Sequence, residues 1–597
     1  MNGRLVGDGS PAPALRFTSL PWRIGLTTAA LCLAVASQRL AGEDLLMEHP
    51  LAAPLVFAAA VVLVLAATRS GTRAQEPSVE PAWPAWERLL LLALLVLALL
   101  LRVVRTGEIP PALTGDEASA GLAAVGILEG RLDNPFTVSW YSFPALYFSI
   151  PAASIAVVGR SFEALRIPSA IAGALTVAGL YLLARSMWGR RTAVLSAALL
   201  AVLHFHVHFS RIGLNNIWDG LLAVLTLGLF WRGWATGRRA FFVAAGVALG
   251  ASQYFYASGR LLPAILIAWL ALLVVFDRAL PRSRLPDLVA MAVVALVVLL
   301  PLGIFFFHHP DEFAAPMNRV KILGPWLEDT VRTTGDPAWR VLLRNFRDAA
   351  SGFSFGELQH WYRPGTPILL PPSALLFHAG LVLALIRIRD SRPRLVLLWL
   401  AGVLAAGGLS ESAPASQRYV LGAPAAVLLA SWALASMTEA AERRWPRIRP
   451  ATLGAVALFL AASTALDLDL YFRRYVRSGA ALDANTEVAG TLAARLREET
   501  AGSRVYFFGP PRMGFASIET LPFLVPHVAP TDVDTPLTGP PAWPLEGRKA
   551  FFVLLPERKA ELLWVRASHP EGREEEFTGW NGDPLFTAWV VPASGTR

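Results

Sequence analysis

Residues 165–209 read LRIPSAIAGALTVAGLYLLARSMWGRRTAVLSAALLAVLHFHVHF. Two apolar runs, 165–184 and 192–209, flank a short basic turn, Gly189-Arg190-Arg191. Each run approaches the roughly 20 apolar residues that a helix needs to cross a bilayer, and the turn is of the kind that stays on the cytoplasmic side. The pattern extends in both directions, with further runs at 24–38, 51–68, 88–104, 214–232, 241–256, 261–276, 287–306, 373–389, 394–409, 418–437 and 451–467. By the length rule these make about thirteen spans. The fold class is an α-helical polytopic membrane protein.

Composition agrees. The 597 residues are 54% hydrophobic and 16% charged, with a mean hydropathy of +0.48. Soluble domains carry about 25% charged residues, so a row of them is excluded. The net charge of +9 lies in short clusters between apolar runs and not on one face or arm, which argues for orientation in a membrane and against a nucleic-acid partner. The one cysteine, Cys32, falls inside the first run. It excludes an intrachain disulfide, a cysteine zinc cluster and a redox pair. Run 24–38 has the length of a signal-peptide core, yet no convincing small-residue cleavage site follows it, so it is expected to be a retained span.

The connections alternate in character. Those at 69–88, 189–191, 232–239, 277–284, 387–394 and 442–449 are short and basic; the loop-charge rule makes them, and the N-terminus, cytoplasmic. The others, at 41–50, 105–164, 210–215, 256–260, 308–372 and 410–418, are acidic, aromatic or His-rich and face outside, as does everything after residue 467. Counting 143–158 as a span would reverse this alternation. It is short and contains Pro144 and Pro151, so it is expected to lie at the outer interface. Beyond 467 the chain turns polar, and candidate strands 505–508, 551–555 and 588–591 with a helix near 487–499 predict a small α/β domain. The expected organisation is an N-terminal accessory region 1–87 with two extra spans and a linker at 75–86, a transmembrane catalytic module 88–467 with external loops 105–164 and 308–372, and an external domain 468–597.

The sharpest chemical signal is Thr114-Gly115-Asp116-Glu117-Ala118, two carboxylates opening a helix on the outer surface. Thr114 and Glu117 also spell a capping box, and acids in a first helical turn are favoured by the helix dipole alone. In isolation, capping is the stronger reading.

The wider pattern reverses that weighting. Arg102, Pro110-Pro111, Asp116-Glu117-Ala118, Trp140-Tyr141-Ser142-Phe143-Pro144, Leu165-Arg166-Ile167-Pro168-Ser169, Leu182-Leu183-Ala184-Arg185 and Ser210-Arg211 occur in order, followed by Tyr254-Phe255-Tyr256, Arg260, Arg363-Pro364-Gly365 and Gln417-Arg418-Tyr419. This set, over roughly 88–440, resembles the polyprenyl-phosphate-sugar glycosyltransferases of GT-C fold, relatives of protein O-mannosyltransferases and of aminoarabinose transferases. The resemblance implies that Asp116 contacts and deprotonates the acceptor, that Glu117 supports the site, and that a single displacement inverts the anomeric carbon. A lipid phosphate leaves, which calls for cations where charge develops. Arg211, Arg260, Arg363 and Arg418 stand at outer span ends or in external loops, with Tyr256, His360 and Tyr419 beside them as binding candidates; snorkelling at the headgroups is the alternative for the arginines. The chain departs from the family at Ser119, where some members carry a basic residue, at Asn215 and Asp219, where many have an Asp nearer the Ser-Arg pair, and at Tyr254-Phe255-Tyr256, where others have a Lys.

Other features are weighed and set lower. His204 and His208 form an i,i+4 pair, but no carboxylate lies nearby in sequence, so these histidines and His206 read as interfacial rather than as a metal site. Asp467-Leu468-Asp469 and Asp532-Val533-Asp534 lack the surroundings of a sugar-nucleotide site. His360-Trp361-Tyr362-Arg363, in a loop long enough to need a reason, is either a sugar-stacking segment or an amphipathic interfacial helix.

The expected function is an inner- or plasma-membrane glycosyltransferase that moves a sugar from a polyprenyl-phosphate carrier to an unidentified protein, lipid or cell-envelope acceptor. The donor is a membrane lipid; no cofactor is obligatory, and a divalent metal is possible but not favoured. The rival is a transporter or flippase, which would call for repeats and midplane ionisable residues. The sequence displays neither.

Overall fold

The structure, a computed structural model, describes residues 20–41, 51–69, 83–277, 282–480, 482–543 and 545–593. Most of the expected loop 41–50, most of the linker 75–86 and the centre of the basic connection 277–284 lie outside them. Each of the expected spans overlaps a helix. Among the described residues, six helices are long and apolar enough to cross a bilayer by length and composition, the longest unbroken one being Phe162–Trp188.

Local chemistry explains the hairpin quoted at the outset. Ser161 caps Phe162–Trp188 by accepting from Ala164 N at 3.2 Å, a contact that stabilises by about 1 kcal/mol. Gly189, at φ +86°, ends that helix in a conformation strained for any side chain. Arg190 and Arg185 then converge on the buried Glu87, and Arg191 pairs with Glu442, so the basic turns are tied by acids at one end of the bundle.

The expected span 192–209 is interrupted. Helix Arg190–Val202 stops at Leu203 and a short helix, His204–Phe209, follows. Two side chains from elsewhere replace the lost ladder. Arg102 donates to Leu200 O (3.2 Å), Ala201 O (3.0 Å) and Ser210 Oγ (3.1 Å), and His204 N donates to Asp467 Oδ1 at 3.0 Å. Asp467 is therefore a cap for a broken helix, while Asp469 pairs with Arg473 and Arg474. Segment 143–158 forms a helix, Ala145–Val158. Its 14 residues span about 21 Å, short of the roughly 30 Å of hydrocarbon.

The chain ends in a small α/β domain. Its five-stranded sheet has the order β2-β1-β3-β5-β4, where β1 is Arg504–Phe508, β2 Ala529–Asp532, β3 Ala550–Leu554, β4 Arg573–Thr578 and β5 Pro584–Val591. β1 pairs parallel with β2 and β3, and β5 antiparallel with β3 and β4. The two-residue period sorts the side chains. Val505, Phe507, Phe551 and Val553 join a core shared with Leu113, Ala118 and Val125 of the transmembrane module, and Tyr506, Phe508, Phe552 and Leu554 form a second core on the other face. The sheet is thereby docked on the helix Gly115–Leu128, whose first turn carries Asp116.

Candidate active site

Thr114 caps the helix Gly115–Leu128 with a complete capping box: Glu117 N donates to Thr114 Oγ1 at 3.2 Å, and Thr114 N donates to Glu117 Oε2 at 3.3 Å. Glu117 does more than cap. Arg166 Nε and Nη2 reach its two oxygens at 2.9 and 3.0 Å, and Gly213 N donates to Oε1 at 2.7 Å. Both side chains of this pair are fully buried. The remaining N–H groups of Arg166 donate to Thr106 O, Pro110 O and Ala112 O at 2.6–2.9 Å. Arg211, in the turn after His204–Phe209, does likewise, donating to Leu101 O, Val104 O, Arg105 O and Ile109 O at 2.8–3.2 Å. Two buried arginines thus supply the donors that hold segment 101–112, which delivers Asp116.

Asp116, the preceding residue, has different surroundings. It is half-buried, accepts a hydrogen bond from the Trp361 side chain and stands beside Glu519. Burial first, then the charges of Glu519 and Glu117, push its carboxyl up to about 6, with Trp361 opposing. Across from it, the Tyr256 hydroxyl lies in the field of Arg418, Asp219, Tyr141 and Asp116, and burial pushes it up to about 12. Burial holds the Arg418 guanidinium below its ordinary range, with Tyr256 and Glu411 opposing, and Arg418 donates to Glu411 O. The wall is aromatic: Phe143 packs on Tyr256 with ring centroids 5.4 Å apart, and Arg319 lies 4.2 Å over Tyr141.

The turn carrying Tyr256 is braced by Asp219, which accepts from Tyr256 N at 3.1 Å and Ser258 Oγ at 2.6 Å. Arg260, on the same turn, donates to Phe313 O at 2.6 Å and covers the Phe313 ring at 4.1 Å. His360 is exposed, within electrostatic reach of Arg418, Glu411 and Arg363, and Arg363 is exposed beside it. Asp116 and Arg418 are therefore within electrostatic reach of Tyr256, and His360 of Arg418, with Arg260 in the short turn that follows Tyr256.

Two expected phosphate contacts are placed elsewhere. Arg211 is fully buried with its N–H groups on backbone carbonyls, and Tyr419 is buried with its hydroxyl donating to Ala349 O at 2.7 Å. Neither presents a free group to a ligand. The segment 360–363 is a turn instead of an amphipathic helix, and Tyr362 is enclosed, stacked on His208 at 4.1 Å and bonded to His204 Nδ1 at 2.9 Å. The three histidines are thus core residues. Asp532 of the second acidic triplet accepts from Phe515 N at 2.8 Å. Among the described residues, no three His, Cys, Asp or Glu side chains are grouped to hold a metal.

Sequence reasoning missed Arg166, Arg319 and Glu519. Arg166 had a signal: a guanidinium near the start of a long apolar helix must find a partner. Glu519 had none, because only tertiary docking brings it to Asp116.

The geometry can be set beside known proteins. The family model described as dolichyl-phosphate-mannose-protein mannosyltransferase matches residues 142–305. Over 210 residues the chain is 29% identical to dolichyl-phosphooligosaccharide-protein glycotransferase 3 of Archaeoglobus fulgidus, a match covering 32% of this chain and 23% of that relative. The chain thus spans under a quarter of the curated relative it matches. Among solved structures, ArnT from Cupriavidus metallidurans bound to undecaprenyl phosphate superposes with a TM-score of 0.50 at 16% identity, covering 86% of this chain and 100% of that one. The chain has the GT-C glycosyltransferase fold. The archaeal oligosaccharyltransferase AglB from Archaeoglobus fulgidus, in complex with an inhibitory peptide and a dolichol-phosphate, is also similar, with a TM-score of 0.48, 14% identity and coverage of 86% and 75%. Within this GT-C chain the family match takes in Arg166, Asp219, Tyr256 and Arg260 but stops short of Asp116, Trp361, Arg418 and the terminal sheet.

Proposed function

We propose that the chain is an integral membrane inverting glycosyltransferase that takes a sugar from a polyprenyl-phosphate carrier and passes it to an acceptor on the external face. The observation that carries this reading is that Asp116 and Arg418, a carboxylate and a guanidinium both half-buried, lie within electrostatic reach of the same residue, Tyr256, while the adjacent Glu117 is locked to Arg166. An acceptor hydroxyl or amine placed at Asp116 gives up its proton to the carboxylate as its lone pair attacks the anomeric carbon. The bond from that carbon to the phosphate oxygen breaks on the opposite face, and the lipid phosphate leaves with the electron pair. Arg418, with Arg260 and Arg363 further out, is suited to the developing charge. Tyr256 and His360, each within reach of Arg418, are the neighbouring binding candidates.

A lipid-linked donor is supported by the undecaprenyl phosphate in the ArnT complex. The proposed organisation is an accessory region 1–87, a catalytic module 88–467 and an external domain 468–597. The end that carries Glu87, Arg190 and Arg191 is proposed to be cytoplasmic, which puts Asp116 outside.

The direct test uses purified protein in lipid nanodiscs with radiolabelled undecaprenyl-phosphate mannose and a cell-envelope fraction as acceptor. Release of undecaprenyl phosphate should require the acceptor fraction and vanish in Asp116→Asn. Undiminished release by that variant removes Asp116 from the mechanism. Orientation is checked in a Cys32→Ser background: Ser412→Cys, at an exposed position of the Arg418 loop, should react in whole cells with an impermeant thiol reagent, and the exposed Arg444→Cys should not.

A further inference from the structure

Helix Thr520–Leu524 of the C-terminal domain lies against the start of the Asp116 helix. Thr520 Oγ1 donates to Leu113 O at 3.0 Å, and a methyl placed on Gly121 would meet the Phe523 ring at 2.7 Å. Leu521, Phe523 and Val525 share one apolar core with Leu113, Ala118 and Ala124. This dry contact fixes Glu519, which immediately precedes the helix. A methyl on Gly115 would stand 3.3 Å from Glu519 Oε2. Glu519 has no ordinary structural employment: its side chain makes no capping hydrogen bond to its own helix, and it joins no ion pair among the described residues.

The groups facing Asp116 come from four directions. Glu117 precedes Arg166 on the inner side, already neutralised by it. Trp361 donates from the loop before helix Pro371–Ile386, Tyr256 faces it from its turn with Arg418 beyond, and Glu519 comes from the terminal domain. Among the described residues, Glu519, like Asp116, joins no ion pair.

We infer that Glu519 is a positioning residue for the proposed transfer: the docked terminal domain holds its carboxylate against the start of the Asp116 helix, so that the base works beside a fixed like charge. This rests on reading Asp116 as the base. A neighbouring carboxylate disfavours ionisation, and a base is most effective when its affinity lies near the working pH.

Proton affinity is read without any acceptor. The full chain in nanodiscs is treated with a hydrophobic carbodiimide, which labels protonated carboxyls, and labelling of Asp116 is followed against pH by peptide mass spectrometry. The wild-type midpoint is expected near about 6. Glu519→Gln should lower it by about 0.5 or more, the order expected for losing one nearby like charge under water-like screening. Glu519→Asp, which retracts the charge by one methylene, should move it part of the way and carries the test if the Gln variant does not fold. A midpoint unmoved in these variants overturns the inference. If instead the midpoint moves but Asp116→Asn still turns over, the base reading fails and the electrostatic link survives.

Discussion

On the inner side of the helix start, Glu117 is enclosed by Arg166, Thr114 and the Gly213 amide, and its contacts with Arg166 and Gly213 are buried. On the outer side, one residue earlier, Asp116 has a Trp361 donor, a like-charged neighbour and partial exposure. The two carboxylates share a local sequence, and beyond the Thr114 capping box of Glu117 they differ in what distant segments bring to them. A buried carboxylate with an arginine on both oxygens is a structural element, because removing either partner strands a charge. A carboxylate kept away from cations is left free to bind a proton. The same division runs through the arginines: Arg166 and Arg211 clamp backbone carbonyls, while Arg418 and Arg260 keep part of their guanidinium near the open side.

This comparison is most exposed to Asp116→Asn. Turnover should fall by about 10²–10⁴-fold, the range for loss of a general base, while the thermal unfolding temperature in nanodiscs stays at the wild-type value. An equal loss of stability would erase the distinction from Glu117. Arg166→Met should do the reverse and cost about 3–5 kcal/mol of stability by stranding Glu117, seen as loss of folded protein on size exclusion. Adding Glu117→Gln to it should recover part of that loss, since no unpaired charge then remains.

Arg418→Ala and Arg211→Ala divide the arginines. The first should lower turnover by about 10²–10³-fold, comparable to losing a donor to developing negative charge, with little change in stability. The second should lower stability, because the four carbonyls of segment 101–109 lose their donors. If Arg418→Ala unfolds the protein and Arg211→Ala slows only turnover, the assignment is inverted.

The bundle was legible because hydropathy is a property of composition: runs such as 165–184 and 287–306 are apolar whatever their partners. The break at Leu203 was hidden, since apolar residues continue through it and its causes, Arg102 and Asp467, lie about a hundred or more residues away. Strand β4 was hidden for a local reason, as Arg573-Glu574-Glu575-Glu576 has no apolar alternation and pairs only along an edge. At the site, the Asp-Glu pair was visible but its division of labour was not. That division depends on Arg166, 49 residues on, and on Glu519 in a different domain. Tyr256 and Tyr419 looked equivalent as aromatic binding candidates because each adjoins or nearly adjoins an arginine at the outer end of a span; burial separates them.

The two tyrosines give the smallest effect and the finest test of the comparison. Tyr419→Phe removes one buried donor and leaves Ala349 O without it, which should cost about 1–2 kcal/mol, read as a lower unfolding temperature with donor KM unchanged. Tyr256→Phe keeps the ring against Phe143 and removes a hydroxyl that faces Asp116 and Arg418, so it should leave the unfolding temperature in place and alter KM or turnover. A raised donor KM in a fully folded Tyr419→Phe would place the Tyr419 ring at the ligand and move the boundary between clamp and site inward by one layer.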